Sequence, residues 1–94
     1  MECSRVFFTE HAYDALAERQ ISPADVIDVV RGGEIISSNP DDLPRPSYLI
    51  MGKAKGRPLH VLVSRDESSG TCFVVTTYYP DAERWDRAFR RRVR

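Results

Sequence analysis

Ninety-four residues, 41% of them hydrophobic and 30% charged, describe one small globular domain with a single modest core and no room for a second. No apolar run approaches the roughly 20 residues of a membrane span, and Met1 to Thr9 lacks the basic start and long apolar centre of a signal peptide, so a cytoplasmic protein with no membrane partner is expected. Formal net charge is zero, yet residues 1–44 carry nine acids against three arginines while residues 45–94 carry eleven bases against five acids. Such polarity either lets the two halves attract each other or offers a basic half to phosphate or an acidic partner.

The elements follow in chain order. Arg5-Val6-Phe7-Phe8 is a short apolar run, either a first strand or a lead-in packed on the core. Thr9 has the chemistry of an N-cap, with Phe8 and Tyr13 placed as a hydrophobic staple, and predicts a first helix from about Glu10 to Arg19. Ser22-Pro23-Ala24-Asp25 starts a second helix with Ile21 and Val26 as its staple, and Arg31-Gly32-Gly33 ends it with a cation and a glycine for a left-handed cap. Glu34 to Ser38 reads as a strand, Asn39 to Pro46 as a proline-punctuated loop, and Ser47 to Gly52 as a further strand.

Arg57 to Tyr79 is the most strongly patterned stretch. Arg57 to Arg65 and Thr71 to Tyr79 are β-branched and aromatic, separated by Asp66-Glu67-Ser68-Ser69-Gly70, which predicts a hairpin. Alternation puts Leu59, Val61 and Val63 on one face and His60, Leu62 and Ser64 on the other, leaving a histidine in an apolar strand. Tyr78 and Tyr79 then face opposite ways. Pro80-Asp81 breaks the sheet and predicts a last helix from about Ala82, with Ala82, Trp85 and Phe89 on one side and Arg84, Arg87 and Arg91 on another. The expected fold class is α+β: two N-terminal helices, an antiparallel sheet of three to four strands, and a C-terminal helix.

Cys3 and Cys72 lack metal-ligand spacing, which argues against a zinc site built by this chain alone, and a reducing compartment argues against a disulfide between them.

This layout resembles the RelE/ParE superfamily of bacterial toxins, and more closely a family of uncharacterised small bacterial domains assigned to it and often encoded beside a zinc-finger antitoxin. The matching residues are His11-Ala12, Arg19-Gln20-Ile21-Ser22, Tyr48-Leu49, Arg57-Pro58-Leu59-His60-Val61, Thr77-Tyr78-Tyr79-Pro80-Asp81, Trp85 and Phe89-Arg90-Arg91-Arg92, spread over nearly the whole chain. The resemblance implies the toxin half of a type II toxin–antitoxin pair. Its activity would be messenger RNA cleavage, on or off the ribosome, or inhibition of DNA gyrase, and its partner a cognate antitoxin. Nucleases of the superfamily commonly use lysines and arginines of the sheet with a tyrosine near the end, whereas here Lys53 and Lys55 fall in an expected turn.

Metal-free RNA cleavage needs a base for the 2′-hydroxyl, cations around the phosphorus and an acid for the leaving oxygen, and calls for no cofactor. His60, Arg65, Tyr78 and His11 are the catalytic candidates, with Arg57, Arg87, Arg90, Arg91 and Arg92 for RNA binding. Each also has a plain structural reading. His60 fits a half-buried strand residue bonded to a neighbour, His11 local packing in a first helical turn, and Arg19 the helix dipole or a nearby acid. Trp85 and Phe89 fit a core face, and the terminal arginines fit a solvated end. The alternative to the nuclease is a non-enzymatic protein-binding module.

Overall fold

The computed structural model describes residues 1–86 and 88–92. Its elements are β1 (Arg5–Phe8), α1 (Glu10–Arg19), α2 (Pro23–Gly32), β2 (Glu34–Asn39), β3 (Ser47–Ala54), β4 (Arg57–Asp66) and β5 (Thr71–Tyr78).

The helices form where local chemistry asks for them. Thr9 Oγ1 accepts the Ala12 N–H at 3.1 Å, and the Phe8 and Tyr13 rings lie 5.6 Å apart across that first turn. Gln20, in the left-handed conformation at φ 54°, closes α1. Pro23 opens α2, whose buried stripe is Val26, Val29 and Val30. Gly33 ends it at φ −78°, an extended rather than the expected left-handed cap. Glycine is required there for space: a Cβ would lie 2.5 Å from the Val29 carbonyl oxygen and 2.7 Å from that of Met51.

The sheet has five strands in the order β1-β5-β4-β3-β2. β2 to β5 form an antiparallel meander, while β1 pairs parallel with β5, Arg5 opposite Thr71. The expected antiparallel sheet of three to four strands is therefore corrected to a mixed sheet of five. The helical hairpin carries the chain from one edge to the other, so β1 meets its partner more than sixty residues later. A four-residue strand with so distant a partner leaves little periodic signal. Lys55 and Gly56, at φ 52° and 77°, make the tight turn between β3 and β4, the twist-matched geometry of a two-residue hairpin.

The expected C-terminal helix is also corrected. Asp81 does start a turn, its carbonyl accepting from Arg84 and Trp85 N–H at 3.0 and 3.2 Å and its carboxylate from Glu83 N–H at 2.9 Å. The ladder then stops: Asp86 N–H bonds Arg91 O at 2.9 Å, Trp85 pairs with Arg92 in an isolated antiparallel bridge, and Phe89 turns left-handed at φ 57°. Arginines repeating at three- and four-residue spacing oppose a helix by like-charge repulsion, and Trp85 is committed to the sheet. Arg87 and Arg94 lie outside the described residues.

Both helices cover one face, where Leu59, Val61, Val63, Ile50, Cys72 and Val74 meet Ala12, Leu16, Val26, Val29 and Val30 in one core. At its edge Cys3 and Cys72 form a disulfide with Cα atoms 5.6 Å apart, which corrects the expectation that they stay unpaired. Parallel pairing of β1 with β5 brings together residues 69 apart in sequence.

Candidate functional site

The face without helices carries the unusual chemistry. His60 projects there and is fully buried, because Trp85 and Phe89 fold over it. The Trp85 ring meets the imidazole edge-on at 4.4 Å, and His60 Nε2 lies 2.6 Å from the Phe89 carbonyl oxygen. A carbonyl only accepts, so Nε2 carries the proton. Burial holds the His60 pKa below 6.5, against the smaller opposing pull of that carbonyl, so the ring is neutral near pH 7. Its Nδ1 therefore accepts, and the Tyr78 hydroxyl 3.3 Å away donates to it.

A sheet irregularity makes this pair. Strict alternation would put Tyr78 on the helix-covered face with Cys72 and Val74. The β4–β5 register shifts between Leu62 and Val63, leaving Val75 without a partner and setting Tyr78 opposite His60. A bulge of this kind reverses which face the following residues point to. Thr77, turned inward, donates its hydroxyl to the His60 carbonyl at 2.8 Å, and Arg19 reaches from α1 to the Thr77 carbonyl at 3.1 Å.

Tyr78 lines a cleft of about 400 Å³ together with Tyr79, Asp81, Arg84, Trp85 and Arg92. Burial raises the Tyr78 pKa above its usual value, and the charge of Arg92 pulls it back. Arg57, which is not among the residues that line the cleft, lies over the Tyr79 ring at 3.7 Å, a cation–π contact.

Of the expected catalytic residues, then, the structure brings His60 and Tyr78 together. Arg65 stands five residues along β4, about 16 Å away at the usual strand rise, where it pairs with Glu67 and donates to the Glu2 carbonyl at 3.0 Å. His11 is exposed on α1, across the sheet. Among the binding candidates, Arg92 lines the cleft. Arg90 instead forms an exposed ion pair with Glu34 at 2.7 Å, beside Arg91 in a neighbouring groove. The sequence places Arg84 on a helix face and Trp85 on a core face; the turn at Asp81 is the one sequence signal that puts both near the strand end. Among the described residues no three His, Cys, Asp or Glu side chains converge as metal ligands, and no helix is long and apolar enough to cross a membrane.

Comparison with curated proteins and with solved structures finds no match. A family model does match, over residues 8–79, a span that takes in every helix and nearly the whole sheet but stops short of the segment that covers His60. The chain belongs to the family described as a domain of unknown function, DUF4258.

Proposed function

We propose that the protein is the toxin of a type II toxin–antitoxin pair, cleaving messenger RNA by a route that needs no metal. The observation that carries this reading is Tyr78, bonded to the buried His60, in a cleft lined also by Arg84 and Arg92. Arg84 and Arg92 hold the phosphodiester and stabilise charge on its oxygens as the 2′-oxygen attacks phosphorus. The 2′-hydroxyl proton passes to Tyr78 Oη while the Tyr78 proton moves to His60 Nδ1. The P–O5′ bond breaks, the 5′-oxygen takes a proton from water, and the proton held by His60 returns through Tyr78 to the hydroxide. A 2′,3′-cyclic phosphate and a free 5′-hydroxyl result. Tyr78 is the group that meets the substrate, and His60 serves as its proton store.

Tyr78→Phe keeps the ring and removes the shuttle. It should slow cleavage of a single-stranded RNA by about 10²- to 10⁴-fold and relieve growth arrest on induction, with the fold intact. Cleavage unchanged by this substitution would sink the proposal. Complete burial of His60, with both ring nitrogens engaged, favours the second reading, a non-enzymatic module that binds a protein such as a zinc-finger antitoxin or a gyrase-like target. That module would show no cleavage in the wild type.

A further inference from the structure

The face that carries Tyr78 has a second wall at its other end. The loop between β2 and β3 folds back over the sheet: the Arg45 guanidinium lies 4.2 Å above the Phe73 ring, and its Nε donates to Ser64 Oγ at 3.0 Å. Between this loop and the strands is a mainly apolar pocket of about 290 Å³, with Leu62, Phe73 and Val75 from the sheet and Asp42, Leu43 and Arg45 from the loop. Ser47 donates its hydroxyl to Asp42 Oδ2, which fixes the carboxylate at the rim. Oδ1 has no bonding partner of its own among the described residues.

We infer that this pocket takes a guanine base of the RNA strand whose phosphate lies in the Tyr78 cleft; the inference rests on the RNA reading above. A guanidinium plane fixed over Phe73 at the wall of this pocket suits a nucleobase, because stacking on aromatic or arginine planes is how single-stranded bases are held. The carboxylate selects among the four. Guanine presents N1–H and N2–H side by side, two donors for two carboxylate oxygens. Adenine and cytosine place an acceptor next to their amino group, and uracil flanks its one N–H with two carbonyl oxygens, so each sets a lone pair against Asp42. An aliphatic peptide side chain would fill the floor and use neither Asp42 nor Arg45. Continuity supports the same occupant: Leu62 is two residues along β4 from His60, about 7 Å, so one extended strand reaches both places.

The test uses the full chain, isotope-labelled, titrated separately with GMP, AMP, CMP and UMP while backbone amide shifts are followed. GMP should move Leu43, Arg45 and Phe73 at a concentration about tenfold lower than the other three, the discrimination of one good bidentate contact. Asp42→Asn, at an exposed loop position, should erase that preference and leave the rest of the spectrum unchanged. Equal response to all four nucleotides in the wild type, or shifts confined to Tyr78 and Arg92, would overturn the inference without recourse to any variant. The RNA reading fails separately: GMP selectivity at the loop in a protein that cuts no RNA would keep the subsite and remove the nuclease, whereas Tyr78-dependent cleavage without GMP selectivity would do the reverse.

Discussion

The two faces of one sheet are built on different principles. On the helix-covered face Leu59, Val61 and Val63 alternate along β4 and meet Val26, Val29 and Val30 from α2, all buried, so the order is carried by apolar area and strand period. On the other face the same strand sends out His60, Leu62 and Ser64, and irregular chain covers them: the loop bearing Arg45 at one end, the segment bearing Trp85 at the other. Regular packing secures the first face. Single polar contacts and the rings of Trp85, Tyr78 and Phe73 shape the second, and that is where a bulge, a buried histidine and an arginine-lined cleft coincide. A small domain can keep its stability on one face and leave chemistry to the other.

Removing the bridge at the edge of the first face should have the largest effect. A disulfide joining residues 69 apart constrains the unfolded chain by about 4 kcal/mol in the loop-entropy account. Cys3→Ala with Cys72→Ala should lower the denaturation midpoint accordingly, while the Tyr78 cleft, six residues along β5 from Cys72, keeps its RNA cleavage. A loss of cleft chemistry equal to the loss of stability would show that the faces are not separable. The next contrast lies within β4. Leu59→Ala, at a fully buried position, should cost about 3 kcal/mol through transfer and cavity terms, and Leu62→Ala, half-buried on the open face, about 1 kcal/mol. Equal costs by urea denaturation would erase the distinction.

The same contrast decides what was legible in the sequence. The spans of both helices, the α1 cap at Thr9 and the Phe8–Tyr13 staple follow from local chemistry, while the end of α2 at Gly33 is extended and not left-handed. The hairpin of β4 and β5 and the facing of Leu59, Val61 and Val63 follow from period two. What the sequence withheld was non-local. Parallel pairing of β1, and with it the Cys3–Cys72 bridge, depends on a partner at the other end of the chain. The bulge at Val75 leaves no residue signature, yet it moves Tyr78 to the face of His60. The terminal segment misled because Trp85 and Phe89 at helical spacing satisfy a helix pattern, while their actual use is one ring and one carbonyl turned onto His60. His60 and Tyr78 were named as candidates from residue type, and only the register explains why they meet.

The smallest expected change in stability probes how loosely that segment is tied. The Glu34–Arg90 pair is about half exposed on both sides, so Glu34→Gln should cost less than about 1 kcal/mol at pH 8. Its larger consequence concerns His60. Because burial depresses the folded pKa, the unfolded chain holds more protons than the folded one between that value and about 6.5. Stability is therefore full above about pH 6.5 and is lost as pH falls through the lowered folded value. If the ion pair helps to keep Trp85 and Phe89 over the ring, Glu34→Gln admits water, the His60 pKa moves back toward 6.5, and the acid loss shrinks. Imidazole titration by NMR, beside denaturation midpoints from pH 5 to 8, reads both quantities. An unchanged His60 titration in Glu34→Gln would mean that the Trp85 edge and the Phe89 carbonyl hold the cover by themselves, and that the cover belongs to the fold as firmly as the helices do.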